Sequence, residues 1–144
     1  MKINVIAKES SGRKLVDSLL RQHPNIDVMG YSFPSEPPPN RGYLSLREAD
    51  FTVIVARDRT CQESSVTDRH YNDGTPNQFG HDENIQAILD AVRKTAKPIY
   101  FFSYETALLY RQDYLDWFFR LLGLQPVKVS TEWVDGNVKY FSKP

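Results

Sequence analysis

Phe51-Thr52-Val53-Ile54-Val55-Ala56-Arg57-Asp58-Arg59-Thr60-Cys61-Gln62-Glu63-Ser64-Ser65 is the stretch whose reading decides the fold. Its first six residues are almost continuously apolar and rich in β-branched side chains. Such a run suits a strand buried on both faces, as in a parallel sheet covered by helices. The run stops at Arg57, and Asp58 or Thr60 then offers a side-chain cap for a following helix. The start of the chain repeats the plan. Lys2 to Ala7 reads as a short strand, and Lys8-Glu9-Ser10-Ser11-Gly12-Arg13-Lys14 turns from it into a helix.

Working outward, Leu15, Val16, Leu19 and Leu20 fall at helical spacing between Gly12 and Gln22, and His23-Pro24 stops that helix. Ile26 to Met29 reads as a second, short strand. Ser32 to Gly42 is loop, because its prolines fix the backbone and remove donors. His70 to Gly80 is a polar connection, and Asp82 or Asn84 opens a helix with Ile85, Ile88, Leu89 and Val92 on one face. Pro98 to Phe102 reads as another strand and Tyr104 to Leu122 as one aromatic-rich helix, ended by Gly123 in the left-handed conformation. Between Val127 and Phe141, Asp135-Gly136 separates two β-prone runs and predicts a C-terminal hairpin. This order implies one α/β domain over residues 1–144, a three-layer sandwich around a small parallel sheet. Ligands of such sheets sit beyond the carboxyl ends of the strands, where strand order reverses.

Lys plus Arg number 18 and Asp plus Glu also 18, so the formal net charge is zero. That balance gives no general attraction to nucleic acid or anionic membrane. The lone Cys61 excludes an internal disulfide and a multi-cysteine metal site, and the three histidines have no metal-ligand spacing. No apolar stretch approaches the ~20 residues that cross a bilayer, and the first residues lack a secretion-signal pattern. A cytoplasmic location is the expectation.

Two groups of residues point to anion chemistry. In the first turn, Gly12 lets a ligand approach the backbone, Ser10 and Ser11 offer hydroxyls, and Arg13 and Lys14 add charge where the helix amino terminus already favours an anion. Ala7 stands where a phosphate loop for ATP and magnesium has its first glycine, Arg13 follows Gly12, and no hydroxyl follows Lys14, which argues against a small nucleotide kinase. In the second turn, Arg57 presents a planar fork matched to phosphate oxygens. Ser65 lies eight residues on, about two helical turns along. The plain structural alternatives are a solvated basic pair at the first turn and a surface Arg57–Asp58 pair at the second. Side by side, the two turns can hold two phosphates on one nucleotide.

The chain resembles the sulfotransferases that use 3′-phosphoadenosine 5′-phosphosulfate. The similarity rests on Ser10-Ser11-Gly12 followed by Leu19-Leu20-Arg21-Gln22-His23-Pro24, on the apolar strand ending in Arg57-Asp58 with Ser65 eight residues later, and on Pro98-Ile-Tyr-Phe-Phe-Ser-Tyr-Glu105 with the Phe118-Phe119-Arg120-Leu121-Leu122-Gly123-Leu124 segment after it. The resemblance implies a P-loop-like core. It implies that Ser10, Ser11, Gly12, Arg13 and Lys14 face the 5′-phosphosulfate, and that Arg57 and Ser65 hold the 3′-phosphate. It further implies sulfuryl transfer from that co-substrate to a hydroxyl or amine of an unidentified acceptor, with Glu36 as candidate base and no metal. Ser10 stands where the family carries Lys or Arg, Arg13 and Lys14 replace its threonines, and the acceptor-binding region is short. Those departures favour the alternative, an inactive nucleotide-binding or interaction protein that keeps the fold.

Overall fold

Ile3 lies opposite Phe51 and Ala7 opposite Val55, so the first strand, β1 (Lys2–Ala7), runs parallel to the strand that ends in Arg57. A computed structural model describes residues 1–7, 11–29, 47–68 and 82–138. Its remaining elements are α1 (Arg13–Leu20), β2 (Asp27–Met29), β3 (Phe51–Ala56), α2 (Arg59–Asp68), α3 (Asp82–Lys94), β4 (Ile99–Ser103), α4 (Tyr104–Tyr110) and α5 (Gln112–Leu121). The four strands are all parallel, in the order β2-β1-β3-β4. The predicted α/β class with a small parallel sheet is what these residues form.

Alternation along the strands divides two buried faces. Ile3, Val5 and Ala7 of β1, Phe51, Val53 and Val55 of β3 and Phe102 of β4 join the main core, with Val16, Leu19 and Leu20 of α1 and Leu115, Phe118 and Phe119 of α5. Asn4, Ile6, Thr52 and Ile54 point the other way and are buried as well. Burial on both faces is why Phe51 to Ala56 reads as a continuous apolar run rather than an alternating one. From β1 the chain steps to β2 on one side, and from β3 to β4 on the other. Right-handed crossovers therefore place α1 on one face and α2–α3 on the opposite face. The direction of stepping reverses between β1 and β3, so their adjacent carboxyl ends form the crevice where such sheets bind ligands.

Two expectations are corrected. The helix expected over Tyr104 to Leu122 is two helices, because Arg111 leaves the helical region at φ 50°, ψ −120°. Tyr104 and Ala107 are the buried positions of α4, while α5 buries Tyr114, Leu115, Phe118 and Phe119. The break leaves Leu109, Tyr110 and Trp117 exposed, so the aromatic segment is only partly core.

The second correction is the first arm of the C-terminal hairpin: the described residues from 122 to 138 contain no strand, and residues 139–141 lie outside the described residues. Their backbone finds side-chain amides instead of a ladder. Gln112 donates to Val127 O at 2.9 Å and accepts from Val129 N–H at 3.0 Å. Gln22 does the same for Ser130, donating to its carbonyl at 3.0 Å and accepting from its N–H at 2.7 Å. A strand partner is unnecessary where two glutamines occupy its hydrogen-bonding sites.

The helix ends behave as expected. Gly123 has φ 78°, and the bonds from Gly123 N–H to Arg120 O (2.9 Å) and from Leu124 N–H to Phe119 O (2.8 Å) form a Schellman cap. His23 is structural. Its Nδ1 accepts the Asn25 N–H at 3.1 Å, so the ring proton is on Nε2, which donates to Gln125 O at 2.9 Å.

Candidate anion-binding site at the ends of β1 and β3

Gly12 stands at the junction of β1 and α1 with φ 85°, a conformation that side chains with a Cβ rarely adopt. It is fixed there from outside as well. A Cβ at Gly12 would fall inside the van der Waals envelope of the Tyr104 ring, at Cδ2 and Cε2. Among the described residues no side chain caps α1, and its first turn holds no acidic residue. The positive end of this helix is therefore not answered by a carboxylate among them. Arg13 is half-buried, Lys14 is exposed and Ser11 is buried.

The second turn is built differently. Asp58 Oδ1 accepts the Cys61 N–H at 2.9 Å and so caps α2. The hydrogen bond from the Cys61 backbone holds the Asp58 carboxyl below the usual carboxylate range. The Asp58 N–H donates to Glu105 Oε1 at 2.7 Å. Burial pushes the Cys61 thiol up, helped by its hydrogen bond to Asp58, and the side chain is fully buried.

Tyr104 joins the two turns. Its ring packs on Gly12 and also lies under Arg57, whose guanidinium carbon is 5.0 Å from the ring centroid. That distance is within the range of a cation–π contact. The tail arrives on the same tyrosine, where the Gly136 N–H donates to the Tyr104 hydroxyl at 3.1 Å. Arg57 Nε donates to Asn137 Oδ1 at 2.7 Å, and Asn137 Nδ2 donates to Glu105 Oε1 at 2.8 Å. Asn137 is only 1% exposed, while Arg57 and Glu105 are half-buried, so the two bonds of its amide are partly sheltered from water.

Among the expected site residues, Gly12 and Arg57 are thus brought together, with Tyr104 between them. Ser65 is buried on α2, and no hydrogen bond joins it to Arg57 among the described residues. Arg13 and Lys14 begin α1 as expected, while Ser10 and Glu36 lie outside the described residues. His70, His81, Lys139 and Lys143 lie outside them too. No cluster of His, Cys, Asp and Glu with the makings of a metal site occurs among the described residues.

Sequence reasoning gave no role to Tyr104, Glu105 or Asn137. The Asp135-Gly136 turn signal of a hairpin belongs instead to an Asx turn, in which Asp135 Oδ1 accepts the Asn137 N–H at 2.8 Å. Nothing in the sequence announces that this turn folds back on Arg57, 80 positions away.

Chemically, the arrangement offers an uncapped helix end and an arginine, both at the carboxyl ends of adjacent strands. Each favours an oxyanion, one through backbone N–H groups and the other through a planar fork. No helix among the described residues is long and apolar enough to cross a membrane. Comparison of the chain with protein-family models finds no match, and neither does comparison with curated proteins.

Proposed function

We propose that this protein binds an adenosine nucleotide phosphorylated at both the 3′ and 5′ positions and transfers a sulfuryl group from 3′-phosphoadenosine 5′-phosphosulfate to a hydroxyl or amine. The observation that carries the reading is the convergence of the α1 amino terminus and Arg57 on Tyr104 at the point of strand reversal. The 5′-phosphosulfate is assigned to Ser10 through Lys14, and the 3′-phosphate to Arg57 with Ser65. In the transfer, an acceptor oxygen or nitrogen attacks sulfur and the bond from sulfur to the bridging phosphate oxygen breaks. Adenosine 3′,5′-bisphosphate leaves, and the acceptor proton passes to a base, for which Glu36 is the candidate.

A second reading is favoured by one specific feature. Arg57 Nε and the ring of Tyr104 are already engaged by the protein's own tail and first turn. A site so well satisfied internally suits a fold kept for interaction after transfer has been lost.

Calorimetric titration with adenosine 3′,5′-bisphosphate, with ADP as control, tests the binding reading. Selective binding is expected, and Arg57→Ala should weaken it by roughly ten- to a hundredfold, the scale of one hydrogen bond to a charged group. Equal affinity for ADP, or an unchanged affinity in the variant, would remove the assignment. Label transfer from the sulfated donor to a panel of hydroxyl and amine acceptors then separates enzyme from binding protein.

A further inference from the structure

We infer that Asn137 is a positioning residue that aims the guanidinium of Arg57, and that Glu105 in turn fixes Asn137. The inference rests on the reading of Arg57 as an anion-binding group. The direction of each hydrogen bond in the chain is determined by chemistry. Arginine only donates and an ionised carboxylate only accepts. The amide of Asn137 can therefore sit in one orientation, with Oδ1 toward Arg57 Nε at 2.7 Å and Nδ2 toward Glu105 Oε1 at 2.8 Å. The same Oε1 accepts the Asp58 N–H at 2.7 Å, which ties the relay to the backbone immediately after Arg57.

The turn that carries Asn137 is built to present it. Asp135 Oδ1 holds the Asn137 N–H at 2.8 Å, and Gly136 N–H is anchored on the Tyr104 hydroxyl at 3.1 Å. Gly136 lies directly over the arginine: a Cβ there would come 2.9 Å from the Tyr104 hydroxyl and 3.4 Å from Arg57 Nη2. An arginine at the end of a strand has several rotatable bonds and, left alone, samples many directions. Stacked on Tyr104 and held at Nε, it is restricted to one. Nε is thereby committed to Asn137, and Asn137 and Tyr104 together set the direction of the planar fork. The tail is then part of the anion site, although it lies far from both turns in sequence.

The test uses the full chain and two readouts. The first needs no ligand. The ¹⁵N–¹H signal of Arg57 Nε, assigned by its absence from Arg57→Lys, should be protected from solvent exchange in the natural protein and lose that protection in Asn137→Ala. The second is the ratio of affinities for adenosine 3′,5′-bisphosphate and 5′-AMP. The ratio should fall roughly tenfold or more in Asn137→Ala, whereas AMP affinity should hold. A residue that merely supported the fold would weaken both ligands alike. Undiminished Nε protection in Asn137→Ala overturns the inference whatever nucleotide binds. So does an unchanged ratio in a protein that prefers the bisphosphate. If protection is lost but the natural protein shows no preference, Asn137 does aim Arg57 and the nucleotide assignment is what fails. Should Asn137→Ala not fold, Glu105→Ala removes the relay one step back and is expected to give the same two losses. Glu105→Gln keeps an acceptor oxygen and should restore protection.

Discussion

The two strand-to-helix turns share a place in the fold and differ in how their positive charge is answered. At the first, α1 begins at a glycine, with no side-chain cap among the described residues and no acid in its first turn. At the second, Asp58 caps α2 and Glu105 takes the Asp58 N–H. A helix amino terminus favours an anion only while the chain has not already supplied one. Among the described residues the first turn therefore leaves its helix end unanswered, whereas the second answers its helix end and adds a cation, Arg57. Equivalent positions at the ends of adjacent parallel strands thus differ in their electrostatics.

The largest effect that would break this contrast is expected at Gly12. Gly12→Ala places a Cβ on a backbone at φ 85° and drives it into the Tyr104 ring. The left-handed conformation costs about 1–2 kcal/mol. Overpacking adds about 1–3 kcal/mol. Urea denaturation should register a loss of about 2–5 kcal/mol on those two counts together. In a Tyr104→Ala background the steric part should vanish and leave only the backbone part. An equal loss in both backgrounds would mean that Tyr104 does not press on the first turn.

An intermediate effect is expected in the strand beneath that turn. Asn4 of β1 is fully buried, opposite Thr52 of β3, and neither atom of its side-chain amide has a hydrogen-bond partner among the described residues. A buried amide left in that state costs about 1–3 kcal/mol. Asn4→Val, which suits a strand buried on both faces, should therefore raise stability by about that amount. A thermal melt that moves down instead would mean that Asn4 serves a polar partner.

These two sites also mark how far the sequence could be read. Phe51 to Ala56 is legible because burial on both faces selects apolar, β-branched residues and nothing else. Gly123 and Asp58 are legible because caps act within a few residues of themselves. The break at Arg111 is not legible: no proline or glycine marks it, and an ordinary, exposed residue takes positive φ there. The tail misleads for a related reason. Val127 to Ser130 has the composition of a strand, yet Gln22 and Gln112 satisfy its backbone from distant helices. Asn137 reaches Arg57 across 80 positions, a pairing that no local pattern encodes. Local rules therefore located both turns and one of their two electrostatic answers, the Asp58 cap. The other, through Tyr104, Glu105 and Asn137, is tertiary.

The smallest predicted effect isolates that local answer. The folded pKa of Asp58 is lowered chiefly by the Cys61 backbone hydrogen bond, so its stabilising contribution is present above the unfolded value and fades as pH falls through the folded one. Asp58→Asn keeps a good capping group but removes the charge. At neutral pH the natural protein should be the more stable of the two, and the gap should close as pH drops below about 4, the ordinary carboxylate range. Asp17, whose carboxyl is pushed up by burial on α1, has the opposite pH dependence, but it is common to both proteins and cancels in the difference. A gap that stays constant through the acid range would show that the Asp58 charge does not answer the α2 dipole. The electrostatic contrast between the two turns would then reduce to the presence of Arg57 alone.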